Sequence, residues 1–248
     1  MPRRGRAGRV APATRGAVPA ADNAGMGTLM LVRHGQASFG AADYDRLSEL
    51  GTRQCRALGE WFAARGQRFD AVLHGSLRRH AQSAAAIAEG LGGLPEPLVW
   101  PGLNEYDSEA LIRTVHEGPL AAPDSAEVYR AHFRLLREAL NRWMAGQTQP
   151  EGMPSWRDFV AGVVGALDHV RERHHGQQVL VVSSGGPIAT AVAQVLAAPP
   201  PTVVELNMRI RNSALTEFAF TPKRHMLVAY NHLPHLDAPE RRDWVTFA

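Results

Sequence analysis

The chain alternates short apolar runs with stretches in which apolar residues recur at helical spacing, beginning at Thr28. Short continuous apolar runs predict buried strands, and apolar positions three and four residues apart predict helices. The predicted strands span 28–32, 71–74, 98–100, 179–183, 214–220 and 225–230. The predicted helices span about 49–65, 79–89, 126–144, 155–174 and 187–196. This alternation indicates an α/β fold, a three-layer α-β-α sandwich with a mainly parallel central sheet.

Local signals mark several helix ends and the division of the chain. Ser48 stands where a helix N-cap is expected, Gly66 ends that helix, and Pro187 suits the first position of a later helix. Between Tyr106 and Gly176, two long helical segments follow each other with no predicted strand between them. We therefore expect one domain at 26–248 with a helical insertion at about 107–176 that lies over the sheet.

The positive charge of the chain is concentrated at its beginning. The 27 basic and 24 acidic side chains give a net charge of +3, which would ordinarily suggest a nucleic-acid or membrane partner. Residues 1–25 hold five of the arginines and one aspartate, so the rest of the chain has 22 basic and 23 acidic groups and a net charge of −1. We therefore expect 1–25 to be a disordered basic tail or a mis-assigned start, and expect no nucleic-acid partner.

Other features limit the compartment and the cofactors. The single cysteine, Cys55, excludes an intrachain disulfide and is compatible with the cytoplasm. No apolar run approaches the roughly 18 residues that span a bilayer, so we expect no membrane partner. The pair His232 and His235 lacks a carboxylate or cysteine at ligand spacing, and no P-loop or dinucleotide fingerprint occurs. The sequence therefore predicts no metal and no cofactor.

The most informative segment is Arg33-His34-Gly35-Gln36, at the end of the first predicted strand. Ligands of open α/β sheets bind at the carboxyl ends of the strands. An arginine offers a planar fork that matches phosphate oxygens, an adjacent histidine can act as a nucleophile, and Gly35 leaves room for a ligand near the backbone. A histidine at a strand end is also often structural, so the segment alone leaves both roles open.

Several segments together resemble the motifs of the histidine phosphatase superfamily, which has the phosphoglycerate-mutase-like fold. The first is Arg33-His34-Gly35. Residues 47–54 are similar to the family element Leu-Thr-x-x-Gly-x-x-Gln-Ala, and 76–84 to Ser-Pro-Leu-x-Arg-Ala-x-Gln-Thr-Ala. Leu103-Asn104-Glu105 is similar to Leu-x-Glu. The resemblance runs from Thr28 to about Leu236.

This resemblance implies a mechanism and assigns residues to it. His34 would attack phosphorus and form a phosphohistidine, and Glu105 would protonate the leaving oxygen. Arg33, Gln36 and Arg79 would bind the phosphoryl group. Without the resemblance, Glu105 would be interpreted as a solvated carboxylate and Arg79 as a surface charge.

The chain departs from the family at one position. The family has Val-Ser-His-Gly-Gly after its last core strand, and that histidine contacts the phosphoryl group, whereas residues 182–186 here read Val-Ser-Ser-Gly-Gly. The Ser184 hydroxyl and the amides of Gly185 and Gly186, at a helix N-terminus, would still bind a phosphate oxygen. Because serine adds no positive charge, we expect activity to be retained at a reduced rate. Candidates to replace the missing imidazole are His74, His80, His232 and His235, although each is more typical of a packing or surface residue.

We therefore predict a phosphomonoester hydrolase that acts through a phosphohistidine on a small phosphorylated metabolite in the cytoplasm. Two alternatives stay open: phosphoglycerate mutase-type transfer, and a low-activity or inactive protein that binds a phospho-ligand. Cofactor-dependent mutases of the family carry Trp-Asn and Glu-Arg-His-Tyr-Gly where this chain has Phe39-Gly40 and 105–108, and the acidic Asp107 disfavours an anionic substrate tail. The insertion is expected to wall the site with Arg113, His116, Arg130, Arg134 and Arg137. A homodimer is left open.

Overall fold

The computed structural model describes residues 25–38, 45–118 and 125–247. The predicted tail at 1–25 lies outside this part of the chain except for Gly25, and so do Phe39 and Gly40. The strands are β1 Gly27–Arg33, β2 Ala71–His74, β3 Leu98–Val99, β4 Gln178–Ser183, β5 Leu215–Thr221 and β6 Arg224–His232. The helices are α1 Glu49–Ala63, α2 Arg78–Leu91, α3 Ser108–Arg113, α4 Ala126–Met144, α5 Trp156–Arg173, α6 Gly185–Val195 and α7 Pro201–Asn207.

The strands form one six-stranded sheet in the order β3-β2-β4-β1-β5-β6. Strands β1 to β4 pair in parallel, whereas β5 is antiparallel to both β1 and β6. The predicted mainly parallel sheet is therefore confirmed, and the last two strands, β5 and β6, form a hairpin. The register of β1 on β4 pairs Arg33 with Ser183, so both strands end at the same edge of the sheet.

Helices cover the sheet on both faces, as the alternation of side chains along each strand requires. In β4, Val179 and Val181 lie in the larger apolar cluster with α3 to α6, and Leu180 and Val182 lie in the smaller cluster with α1 and α2. A strand that is buried on both faces is apolar throughout, and β4 accordingly has four consecutive apolar residues, Val179 to Val182. The three-layer α-β-α sandwich is confirmed.

The structure differs from the predicted elements where the elements are short. Helices α3 and α7, of six and seven residues, were not predicted, because two turns or fewer give too few apolar positions for a periodic signal. Helix α6 begins at Gly185, so Pro187 is its third residue rather than its first. Helix α2 runs to Leu91 and ends at the left-handed Gly92. Among the described residues, no helix is both long and apolar enough to span a membrane.

The two long helices predicted as an insertion contribute to the core. Helix α4 buries Leu140 and Trp143, and α5 buries Phe159 and Val163, all in the larger cluster. Trp143 and Phe159 make an edge contact with ring centroids 5.4 Å apart. The boundaries of the insertion, about 107–176, stay a prediction.

Candidate active site

The candidate residues come from four segments that meet at the carboxyl edge of the parallel strands. Arg33 ends β1 and His34 follows it, while Arg79 lies in the first turn of α2, after β2. Glu105 follows the short 3-10 turn after β3, and Ser184 follows β4. Because parallel strands present their carboxyl ends at one edge, the topology brings together residues that are far apart in the chain, such as Arg33 and Gly185, which are 152 positions apart.

His34 is buried, with 4% of its surface exposed. Its Nδ1 lies 2.7 Å from the carbonyl oxygen of Gly35. A carbonyl oxygen only accepts, so Nδ1 carries the proton and the lone pair of a neutral His34 is on Nε2. Burial, followed by the charges of Arg33 and Arg79, holds the pKa of His34 well below its usual range. The imidazole is therefore neutral at neutral pH, the form in which Nε2 can attack an electrophile.

Two buried guanidinium groups neighbour this imidazole. Arg33 Nη1 donates to the carbonyl of Ile210 at 2.5 Å, and Arg79 Nη1 lies 2.9 Å from a carboxylate oxygen of Asp45. Asp45 also accepts from the backbone N–H of Arg78 at 2.8 Å. Because the N-cap residue Leu77 makes no side-chain cap bond, the Asp45 carboxylate fills that role for α2 and orients Arg79 as well. Sequence reasoning missed Asp45, which no motif singled out.

Glu105 reaches the N-terminus of α6. Its Oε2 accepts from the backbone N–H of Gly186 at 3.1 Å, and its Oε1 from that of Tyr106 at 3.2 Å. Burial raises the pKa of Glu105 above its usual value, and it outweighs the lowering effects of the Gly186 N–H and of the Arg79 and Arg33 charges. A raised pKa increases the protonated fraction, so this carboxyl group can serve as a proton donor.

The loop after β4 differs in one respect from its predicted geometry. The Gly186 amide, expected to face a phosphate, donates to Glu105 instead. The Ser184 hydroxyl makes no cap bond to α6 but lies 2.7 Å from Nε2 of His80. At Gly185, a Cβ atom would lie 2.2 Å from Oδ1 of Asn207, so a larger residue on this turn would displace that side chain of α7.

Gln36 and two buried polar residues brace the segment that carries His34. The Gln36 side-chain oxygen accepts from the Ser48 hydroxyl at 2.7 Å, so the group it offers a ligand is its Nε2 amide. Gln54 is fully buried and accepts from the Gln36 backbone N–H at 2.9 Å. Ser83 accepts from the Gly35 N–H at 3.1 Å and donates to the Arg79 carbonyl at 2.7 Å. Gln54 and Ser83 belong to the segments that resemble family motifs, but their bracing role was not predicted.

Gly35 packs against another element of the fold, whereas the sequence suggested that it leaves room for a ligand. A Cβ atom on Gly35 would lie 2.3 Å from the carbonyl oxygen of Gly51, and one on Gly51 would lie 2.1 Å from that of Gln36. The room left by the missing side chains is thus filled by the first turn of α1, not by a ligand. The two glycines lock the His34 segment against α1.

The charged residues of the predicted insertion are engaged mostly at its surface. Arg113 lies 3.8 Å from Glu109 in its own helix, and Arg137 pairs with Glu205 of α7. Arg130 and Arg134 are exposed, and His116 is half-buried. Their predicted role in walling the site stays a prediction.

Comparison with known proteins relates this geometry to a family. The model of the histidine phosphatase superfamily (branch 1) matches residues 29–233. A 2,3-bisphosphoglycerate-dependent phosphoglycerate mutase of Methylobacterium sp. (strain 4-46) is 30% identical over 174 residues, which cover 66% of this chain and 78% of the mutase.

Two solved structures show the same fold at low sequence identity. YhfR of Bacillus stearothermophilus has a TM-score of 0.63 at 18% identity and covers 84% of this chain and 98% of its own. Phosphoserine phosphatase of Entamoeba histolytica in complex with 3-phosphoglyceric acid has a TM-score of 0.59 at 18% identity and covers 85% of this chain and 99% of its own.

Proposed function

The chain belongs to the histidine phosphatase superfamily (branch 1), and from this premise we propose that it is a phosphomonoester hydrolase acting on a small phosphorylated metabolite through a phosphohistidine. The observation that carries the proposal is the state of His34. Its Nδ1 donates to the Gly35 carbonyl, so its Nε2 carries the lone pair, and two guanidinium groups lie beside it. The expected compartment is the cytoplasm, with no cofactor and with the small substrate as partner.

The first step is an in-line displacement at phosphorus. Nε2 of His34 forms an N–P bond as the ester O–P bond breaks, and the positive charges of Arg33 and Arg79 stabilise the equatorial oxygens. Protonated Glu105 gives its proton to the departing oxygen, so that an alcohol leaves rather than an alkoxide. Gln36, Ser184 and Gly185 are proposed to bind the remaining phosphoryl oxygens.

The second step returns the enzyme to its starting state. The Glu105 carboxylate formed in the first step accepts a proton from a water molecule, and the resulting hydroxide forms a bond to phosphorus. The N–P bond breaks, inorganic phosphate leaves, and His34 is again neutral with its proton on Nδ1. Both steps use the same acid, once as a donor and once as a base.

Mutase activity is the second candidate, favoured by the similarity to a phosphoglycerate mutase. A mutase must hold a substrate carboxylate next to the phosphoryl group, which requires a further cation. Two residues after Glu105 stands Asp107, whose carboxylate accepts from the N–H groups of Glu109 and Ala110 at 2.9 Å each and caps α3. An exposed, fixed negative charge near the acid disfavours an anionic substrate tail, so we favour hydrolysis.

Phosphate release separates these functions. Purified wild type and His34→Ala would be assayed with para-nitrophenyl phosphate and a panel of phosphorylated metabolites, with the exposed His175→Ala as the matched control. We expect release by wild type and His175→Ala and none by His34→Ala. Equal release by wild type and His34→Ala would overturn the assigned nucleophile. A parallel assay with 3-phosphoglycerate and 2,3-bisphosphoglycerate detects mutase activity, and calorimetric binding of phosphate without turnover on any substrate would indicate a phospho-ligand-binding protein.

A further inference from the structure

An imidazole from a different element stands against Ser184. His80 lies in the first turn of α2, next to Arg79, and both His80 and Ser184 have no exposed surface. Nε2 of His80 is 2.7 Å from the Ser184 hydroxyl oxygen. The His80 ring also lies close to the proposed nucleophile, with its centroid 5.8 Å from that of His34. The pair thus belongs to the site by position, although Ser184 and His80 are 104 residues apart.

The surroundings are built to hold this ring. A Cβ atom on Gly75, the residue after β2, would lie 2.4 Å from Nδ1 of His80, so a side chain at this position would push the His80 ring out of its present position. On the other side, the hydroxyl of Ser183 donates to the carbonyl of Leu103 at 2.7 Å and anchors the strand end that carries Ser184. Both partners of the hydrogen bond are therefore fixed by packing rather than by each other alone.

The imidazole is uncharged in this setting. The titratable and charged groups that face it are Arg79 from its own helix, His74 from β2 and His34 from the loop after β1. Burial, followed by the charges of Arg79 and His74, lowers the pKa of His80 to about 3. A neutral imidazole carries one proton, on Nδ1 or on Nε2, and the choice decides what Ser184 can do.

Building on the proposed hydrolase function, we infer that His80 is a positioning residue for the phosphoryl group and acts through Ser184. With the proton on Nε2, His80 donates to the Ser184 oxygen, and the single serine proton is left to donate to a phosphoryl oxygen. With the proton on Nδ1, Ser184 must donate to Nε2 and presents only lone pairs to the anion. A bound phosphoryl group therefore selects the first arrangement and makes a continuous donor chain from His80 through Ser184 to phosphate.

The same geometry explains why this chain departs from its family at two positions and not one. Aligned on Arg79 and Gln82, the family segment Ser-Pro-Leu-x-Arg-Ala-x-Gln-Thr-Ala has alanine at position 80, where this chain has histidine. The imidazole that the family places at position 184 is thus supplied here from α2. The exchange keeps a ring at the edge of the sheet and inserts a hydroxyl between that ring and the substrate.

A double-mutant cycle with para-nitrophenyl phosphate tests the inference. Wild type, His80→Ala, Ser184→Ala and the double variant would be compared, with wild type and His34→Ala first establishing hydrolysis. We expect each single variant to lose about 10- to 100-fold in kcat/KM, since the donor chain contacts the phosphoryl oxygens both in the bound state and in the transition state. The double variant should be within about threefold of the slower single variant, because each substitution alone already removes the same donor chain.

A conservative variant separates positioning from packing. The amide nitrogen of glutamine reaches about as far as Nε2 of histidine and always donates, so His80→Gln should keep kcat/KM within about fivefold of wild type, whereas His80→Ala does not. Urea unfolding of each variant shows whether a loss is simply incomplete folding. Additive losses in the cycle, or equal losses in His80→Gln and His80→Ala, would overturn the role of His80 while leaving the hydrolase function standing.

Two further measurements complete the test. Ser184→His alone should lower activity, because the new ring would meet His80 in a fully buried place. Combining it with His80→Ala removes this clash, so the double variant should be at least tenfold more active than Ser184→His. No such recovery would count against the inference. If wild type hydrolyses no phosphoester, the hydrolase function fails first. Calorimetric binding of inorganic phosphate then tests the role of His80 separately. We expect His80→Ala and Ser184→Ala to weaken phosphate affinity equally, and the double variant to weaken it no further. Unchanged affinity in these variants would contradict the inference.

Discussion

Acidification should destabilise this protein through a histidine that is not assigned to the chemistry. His235 has 3% of its surface exposed, and its Nε2 lies 2.9 Å from the hydroxyl of Ser213. Burial, followed by the charges of Arg241 and His232, lowers the pKa of His235 to about 3. In the unfolded chain a histidine has a pKa of about 6.5. Between these two values, the unfolded state binds a proton that the folded state does not.

The sign and size of the effect follow from proton linkage. The free energy of unfolding rises with pH wherever the unfolded state binds more protons, so the stability contributed by a neutral buried histidine is present above pH 6.5 and is lost as the pH falls. From pH 7 to pH 5 the loss is about 2 kcal/mol for one such group. Because the folded pKa of His235 lies well below 5, this figure hardly depends on its exact value. His80, with its pKa also lowered to about 3, adds a similar loss. The two losses together are a large part of the free energy of unfolding of about 5–15 kcal/mol that is typical of folded domains.

Urea unfolding at the two pH values measures this loss directly. The chain has five tryptophans, so fluorescence gives the unfolding midpoint and slope for wild type, His235→Gln and the exposed control His175→Gln. We expect His235→Gln to lose about 2 kcal/mol less than wild type and control between pH 7 and pH 5, whatever its stability at pH 7. An equal loss in wild type and His235→Gln would refute the reasoning, because it would mean that His235 is protonated in the folded protein or contributes nothing to the linkage.

Three further predictions concern the site. Glu105→Gln should slow hydrolysis of an alkyl phosphate such as glycerol phosphate by about 10²–10⁴-fold. It should slow hydrolysis of para-nitrophenyl phosphate far less, because nitrophenolate leaves without a proton. The rate of wild type should decline as the pH rises through the raised pKa of Glu105, and Glu105→Gln should lack this decline. Asp45→Ala should lower the free energy of unfolding in urea by about 1–2 kcal/mol, and Asp45→Asn by much less, because asparagine still caps α2. Gly51→Ala should lower the free energy of unfolding by about 2 kcal/mol or more and reduce kcat, because its Cβ would lie 2.1 Å from the Gln36 carbonyl oxygen. The control Gly165→Ala meets only a Trp100 side-chain atom at 3.3 Å, so it should change both quantities far less in the same unfolding and activity assays.

Burial explains which parts of the fold could be predicted from the sequence. Strands β1, β2 and β4 are apolar runs with both faces covered, so their positions are clear from composition alone. Helices α1 and α5 carry an N-cap serine, Ser48 and Ser155, and a long apolar face. Helices α3 and α7 are too short for that signal, and tertiary packing rather than local propensity determines them.

The candidate site could be predicted only as far as strand ends and motifs could place it. Arg33 ends a buried strand and His34 follows it, so their position at the ligand-binding edge could be derived without any relative. The contacts that define their state could not. Asp45 meets Arg79 across 34 residues, and the Gly186 amide meets Glu105 across 81 residues. No spacing rule links such pairs, because their proximity depends on the register of the sheet and on how the helices pack.

Ser184 shows how such a contact changes an interpretation. In the sequence, serine in place of the family's histidine is a loss of positive charge next to the phosphoryl group, and a reduced rate is the expected result. In the structure, the neighbouring imidazole of His80 is itself buried and neutral, with its pKa lowered to about 3, and the serine is its hydrogen-bond partner. In the proposed donor chain, His80 contributes an oriented hydrogen bond rather than a charge, and the Ser184 hydroxyl passes that hydrogen bond on to phosphate. The substitution therefore need not weaken the site, provided that His80 and Ser184 are present together.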